Sequence, residues 1–278
     1  MSPSERPLVR VDLRREGGQA SRAEAAPFVP AGCDVCPIRK HTICRPYADD
    51  RLDVLSKYKT GNRTLRRSAS LTLQGEPATS FFNIFSGWAI TSVLLDGGQR
   101  RGLDIRMPGA FVGLDGLRTL EQFDQRIPLH AASVECSTDL SVCVFPAKGL
   151  PALLRDHPLL SVRLNDIVLG QNARLQNSLA LTGHIPSRNR LAAFVLDTFD
   201  RAKRFSPEMV DGPKLRWPLT QEVLGDALGV TNVQVSNSAK MLREAGALLL
   251  GRQRLEILNR PLLEEIANYE LNPRLLLP

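Results

Sequence analysis

Apolar and polar positions alternate with a different period in successive parts of the chain. Residues 1–31 mix Arg, Glu, Ser, Ala, Gly and Pro without a sustained apolar period, which predicts a disordered tail. A short amphipathic helix is expected over 49–58, carrying Leu52, Val54 and Leu55. From 64 to 146 the apolar residues come in short runs, at 71–73, 81–85, 89–95, 101–105, 131–134 and 140–145. Turn residues separate them, among them Gly75-Glu76, Ser86-Gly87, Pro108-Gly109 and the hairpin signal Asp96-Gly97-Gly98. Short strands at this spacing predict a compact antiparallel barrel or roll.

A helical period begins after Gly149. Pro158 stands at a helix start, and Leu160, Leu164, Ile167, Val168, Leu175 and Leu179 recur at steps of three and four until Gly183 and Pro186 stop the pattern. So long an apolar stripe exceeds what a small roll can cover, and pairing with a second copy of the chain is expected. A further helix is predicted over 188–205, with Leu191, Phe194, Val195 and Phe199 on one face, then a strand-like stretch at 215–219. Thr220 caps a helix with Val223, Leu224 and Leu228 facing inward. Gly229-Val230-Thr231 breaks it, and Thr231 caps a second helix whose inward face is expected to be Val233, Val235, Ala239, Met241 and Leu242, with Gly246 as its stop. Two short helices on a Gly-containing turn, followed by apolar runs at 247–250 and 255–258 around Gly251-Arg252-Gln253-Arg254, make a winged helix-turn-helix.

In this second helix Asn232, Gln234, Ser236 and Asn237 lie near the start and off the apolar face. Amide side chains can hydrogen-bond adenine with two bonds and Ser can reach several acceptors, whereas Lys240, Arg243 and Arg252 suit phosphates. With Thr231 at the cap, these residues form the expected DNA surface. The formal charge of +7 fits a polyanionic partner, although residues 1–70 hold 14 Lys and Arg against 8 Asp and Glu, a net of +6. Most of the excess therefore belongs to the front of the chain and not to the recognition surface. A hydrophobic content of 43% with 23% charged residues fits a soluble protein. No apolar run approaches the roughly 20 residues of a membrane span, so a cytoplasmic protein with no membrane partner is expected.

Three of the five cysteines crowd into Cys33-x2-Cys36-x7-Cys44; Cys136 and Cys143 follow far behind. The odd count and the absence of a secretory signal argue against a disulfide framework, which leaves a metal or redox site. Iron–sulfur and zinc both suit four thiolates. The four histidines are scattered, and His41, among the cysteines, reads as an exposed loop residue. No Gly-x-Gly-x-x-Gly, Walker loop, His-Glu-x-x-His or Gly-x-Ser-x-Gly is present, so no catalytic residue is assigned and the electron-carrier or redox-enzyme reading has no second feature behind it.

The order of these parts resembles the Crp/Fnr transcription regulators over roughly residues 33–268. The resemblance is carried by Met107-Pro108-Gly109-Ala110-Phe111-Val112-Gly113, Arg190-Leu191-Ala192-Ala193-Phe194, Leu219-Thr220-Gln221-Glu222 and Leu242-Arg243-Glu244-Ala245-Gly246. It implies an α+β fold: a cysteine segment and cyclic-nucleotide-binding-like β-roll sensor over 32–150, a dimerisation helix over 151–185, a winged helix-turn-helix over 186–268 and a tail over 269–278. Within the family the chain is similar to the Fnr-type oxygen sensors, which implies a four-iron, four-sulfur cluster on Cys33, Cys36 and Cys44, with a gap like that of rhizobial relatives. Cys143 matches the fourth ligand through Leu140-Ser141-Val142-Cys143-Val144-Phe145-Pro146; Cys136 is expected to be a small core residue. Zinc, or a cofactor-free thiol switch, remains the alternative. The implied partners are double-stranded DNA, a second copy of the chain and RNA polymerase. Two departures stand out. The Gly-Glu and Arg-Ser or Arg-Thr pairs that hold a cyclic nucleotide are missing, with Leu114 after Gly113 and no such pair near Arg126-Ile127, so no cyclic AMP is expected. The recognition helix has Val233 and Ser236-Asn237 where Fnr-type members carry Glu and Ser-Arg, which implies weaker binding or a different half-site.

Overall fold

The computed structural model describes residues 32–36, 38–49, 51, 53–114, 128–180 and 185–268. The expected tails, Leu52, Arg126-Ile127 and the Gly183 helix stop lie outside them.

The first half is a roll of two four-stranded sheets. One has the order β1 (Gly61–Leu65), β8 (Leu140–Pro146), β3 (Ser80–Ser86), β6 (Phe111–Val112). The other runs β2 (Ser70–Thr72), β7 (Ser133–Cys136), β4 (Ala89–Leu94), β5 (Arg100–Arg106). Leu71, Phe82, Ile84, Val112, Val134, Leu140 and Val142 fill the space between the sheets, each the inward member of a two-residue alternation. The Asp96-Gly97-Gly98 signal becomes the β4–β5 hairpin, with φ of +92° and +82° at its glycines, and Leu94 opposite Arg100. The strand expected at 131–134 sits two residues later. β1 and β6 have no strand-like pattern in sequence and form by pairing with β8 and β3. The helix expected at 49–58 is a single turn, α1 (Asp53–Ser56), that buries Val54 and Leu55.

The long helical region is two helices, α2 (Leu150–Asp156) and α3 (Pro158–Ala180). They divide at His157 (φ −135°, ψ 74°) because Pro158 offers no N–H and bars helical backbone in the residue before it. What reads as one apolar stripe on α3 is two faces. Leu160, Leu164 and Ile167 pack into a second core with Ile43, Val54, Leu55, Phe81, Phe111 and Phe145. Val168, Leu175 and Leu179, with Leu159, Val162 and Leu169, are exposed at 40% or more. The step from Ile167 to Val168 turns about 100° around the helix, which separates the inward face from the outward one.

The C-terminal unit comprises α4 (Ser187–Phe205), β9 (Val210–Asp211), β10 (Lys214–Arg216), α5 (Gln221–Leu228), α6 (Asn232–Glu244), β11 (Leu248–Gly251), β12 (Arg254–Ile257) and α7 (Arg260–Ala267). Its sheet has the order β11-β12-β10-β9. β10 stops short of the expected 215–219: Trp217 N–H makes one more in-register bond, to the Gln253 carbonyl of the β12 side, and Pro218, which has no N–H, follows. One core runs through this unit and into the roll, where Trp88, Ile90, Ile105 and Met107 join Leu191, Leu196, Phe199, Leu224 and Leu242. A buried ion cluster closes the same joint. Asp104 of β5 accepts from Arg174 of α3 (3.1 Å) and Arg201 of α4 (3.2 Å), and Arg106 stands 3.3 Å from it. Arg201 also donates to the Ile105 carbonyl. Burial alone would raise the Asp104 carboxyl, but the three guanidinium groups outweigh it and hold it well below the usual carboxylate range.

Candidate metal centre and nucleic-acid interface

Cys33 and Cys36 lie on a 3-10 turn, Cys33–Val35, that closes when Cys36 N–H donates to the Cys33 carbonyl (3.4 Å). The chain returns through the fully buried Thr42, whose hydroxyl accepts from Cys44 N–H at 3.0 Å. Arg163 of α3 anchors this return, with Nε donating to the Thr42 carbonyl (3.0 Å) and Nη2 to the His41 carbonyl (2.8 Å). Cys143 comes from the other direction, on the outward face of β8. All four cysteines line one cavity of about 100 Å³, with Leu55, Phe85 and Phe145 supplying apolar wall and Lys59, Asn62 and Asn83 polar wall.

Each sequence-predicted ligand is thus on the same cavity, although among the described residues no three Cys, His, Asp or Glu side chains converge on a single-ion position. Cys136 is elsewhere: it is buried between the two sheets, and burial, with the Glu135 charge, pushes its thiol up to about 12. His41 is half-buried and not an exposed loop residue, its ring edge-on to Phe205 at 5.8 Å, and it does not line the cavity. Burial pushes the Cys44 thiol up to about 12 and the Cys143 thiol up to about 11, the latter opposed by the Lys59 ammonium that hydrogen-bonds it. Burial is the largest cause of both shifts: a thiolate on this mostly apolar wall is poorly solvated and, beyond Lys59 at Cys143, lacks counter-charge. A cationic iron or zinc centre supplies it, so four thiols around one cavity fit such a group chemically. Nothing in the sequence marks Lys59, Asn62 and Asn83, because their relation to Cys143 exists only in the fold.

Where a cyclic-nucleotide site would carry its Glu, Leu114 packs against the apolar cluster shared by α3 and the cysteine segment. Gly113 before it has φ +93°, and a Cβ there would stand 2.6 Å from the Ser80 carbonyl, so the turn requires glycine whatever the ligand.

In the helix-turn-helix, Thr220 Oγ1 accepts from Val223 N–H and Gly229 ends α5 in left-handed backbone. Thr231 and Gln234 form a reciprocal cap on α6: Thr231 Oγ1 accepts from Gln234 N–H (3.2 Å) and Gln234 Oε1 from Thr231 N–H (2.9 Å). That cap holds one end of the Gln234 amide, which sequence reading left free for bases. Ser236 Oγ donates to Gln221 Oε1 of α5 (3.1 Å). Asn232, Asn237 and Lys240 are exposed on α6, and Arg252 is exposed at the tip of the β11–β12 wing. The buried face is Val235, Ser238 and Leu242. Val233 (67% exposed) and Met241 (48%) are not on it, contrary to the sequence expectation, because two steps from Val235 carry Val233 about 200° around the helix. Its isopropyl group stands on the open face instead.

Comparison with known proteins places these parts. Residues 62–157 match the cyclic nucleotide-binding domain and 189–266 the Crp-like helix-turn-helix domain. The transcriptional activator protein FnrL of Cereibacter sphaeroides is 25% identical over 229 residues, 82% of this chain and 88% of that one. The anaerobic regulatory protein of Pasteurella multocida is 24% identical over 78% of this chain and 75% of its own length. The fold is similar to that of FixK2 from Bradyrhizobium japonicum, with TM-score 0.64, 21% identity, and coverage of 77% of this chain and 99% of that one.

Proposed function

Because the chain belongs to the Crp/Fnr family of DNA-binding transcription regulators, we propose that it is a homodimeric activator whose DNA affinity follows oxygen or redox state through a four-iron, four-sulfur cluster on Cys33, Cys36, Cys44 and Cys143. The observation behind this reading is that cysteines a hundred residues apart in sequence line one enclosed cavity. When bound, the cluster supplies oxygen-sensitive redox chemistry. The protein's own part is mechanical. With Cys143 on the rigid roll and the other three on a short segment, ligation clips that segment to the roll. Arg163 joins the same segment to α3 through the His41 and Thr42 carbonyls. Release of the segment then loosens the inner face of α3, whose outer face, with Val168, Leu175 and Leu179, is where a second copy packs.

On a dimer the two α6 helices would enter major grooves about one turn apart. Thr231 and Gln234 fix the start of α6, Asn232, Ser236 and Asn237 face bases, and Lys240 and Arg252 bind phosphates. Val233 offers an apolar contact to a thymine methyl group, in keeping with an altered half-site. Leu114, packed where a cyclic-nucleotide site would carry its Glu, supports a regulator that does not use cyclic AMP.

Iron, acid-labile sulfide and zinc content of protein prepared without oxygen test the sensor. About four irons and four sulfides per chain, lost in Cys143→Ala and kept in Cys136→Ala, are expected. Zinc, or no metal, overturns the oxygen reading and leaves a DNA-binding dimer with another signal.

A further inference from the structure

The sheet face under Cys143 is polar where an apolar one would pack better. On β3 the alternation sends Phe82 and Ile84 into the roll, while Phe81, Asn83 and Phe85 face the cysteine segment. In register, Asn62 of β1 and Asn83 of β3 both stand directly opposite Cys143 of β8. Residues so paired share one face with Cβ atoms about 4.5–5.5 Å apart, so two amides flank the thiol, one on each side. Asn83 is 1% exposed, and its Oδ1 is buried without a hydrogen-bond partner. A buried amide left short of a partner is destabilising, and its aromatic neighbours would accommodate a leucine. Sulfur cannot satisfy that oxygen, which is an acceptor; what the cavity's sulfur can use is the donor end of the same amide, Nδ2, which a half-turn about χ2 exchanges with Oδ1. Lys59, also on that cavity, hydrogen-bonds Cys143 from outside the sheet.

We propose that Asn83, with Asn62 and Lys59, forms a hydrogen-bonding cradle for the Cys143 thiolate and adjoining sulfides, and that this cradle sets how readily oxygen destroys the cluster. The proposal rests on the iron–sulfur reading above and deepens it. N–H donors draw electron density from sulfur, stabilise the more reduced states and make removal of an electron harder. The Lys59 ammonium acts in the same direction by offsetting the negative charge of four thiolates.

The test compares anaerobically loaded wild type, Asn83→Leu, Asn83→Ser and Asn62→Leu, reading iron and sulfide content, midpoint potential and the rate at which visible absorbance is lost in air. Asn83→Leu is expected to load like wild type, shift to lower potential and lose its absorbance about threefold faster or more, with Asn83→Ser, which keeps a donor, partly restored. Asn62→Leu should move both readings in the same direction and serves where Asn83→Leu does not fold. If wild type takes up no iron, the cluster reading itself fails. If the variants load but match wild type in potential and oxygen lifetime, or load less with an unchanged potential in the loaded fraction, the cradle is overturned and the cluster stands.

Discussion

Asp104 is the group on which the roll, α3 and α4 converge, and Asp104→Asn tests how much that convergence stabilises the protein. The substitution keeps shape and removes charge, leaving Arg174, Arg201 and Arg106 without their shared counter-ion. Removing one partner of a buried ion cluster costs about 3–5 kcal/mol. Arg201 retains Asp197 (3.5 Å), which places the expected loss toward the lower end. For a protein of this size that loss corresponds to a Tm drop of roughly 6–20 °C. Urea unfolding followed by tryptophan fluorescence reads it directly, since Trp88 and Trp217 are both buried in the core shared by roll and C-terminal unit. The dependence on pH carries a sign. The Asp104 carboxyl is depressed in the folded state, so its contribution is complete above the unfolded value, near pH 4, and is lost as pH falls through and below it. The gap between wild type and variant should therefore be full at pH 6 and shrink in strong acid. A loss under about 1 kcal/mol at pH 6, or a gap that does not narrow in acid, refutes the argument.

Three further outcomes are expected. In metal-free native protein at pH 8, iodoacetamide should modify Cys44 and Cys143 far more slowly than in urea, because burial pushes their thiols up to about 12 and 11; peptide mass mapping reads this, and equal rates would contradict it. Thr231→Ala removes the reciprocal cap of α6, with a stability cost of about 1 kcal/mol by denaturant titration and weaker DNA binding at every site. Leu175→Glu places a charge on the exposed face of α3 and should yield monomers in sedimentation velocity with the roll intact; an unchanged dimer would move the interface elsewhere.

Sequence periodicity made the roll and the winged helix visible because their cores are built from local alternation: the Asp96-Gly97-Gly98 hairpin and the caps at Thr220 and Thr231 occur where turn and cap chemistry puts them. It failed where burial is decided by distant partners. β1 reads as a polar segment because Asn62 meets its neighbours only across β8 and β3. Arg163, Arg174 and Arg201 look like solvated cations on helices, yet each is buried, held by carbonyls or by Asp104. Val233 and Met241 read as interior residues by hydrophobicity alone, against the phase set by Val235 and Leu242. The cysteine spacing announced a site and the family match of 140–146 pointed to Cys143; the fold puts Cys143 on the cavity lined by Cys33, Cys36 and Cys44, and Cys136 between the sheets.

The tie from Arg163 to the His41 and Thr42 carbonyls has a thermodynamic consequence for whatever these thiols hold. Bringing Cys44 to Cys143 in an unfolded chain means closing a loop of about a hundred residues, an entropic cost that grows with the logarithm of its length. Here the fold meets part of that cost before any ligand arrives, since Arg163 ties the segment to α3, and ligation to Cys143 meets the rest. The thiols therefore meet an incoming ion at a raised effective concentration, and the share of its binding free energy that goes into ordering the segment is the share available to bias α3.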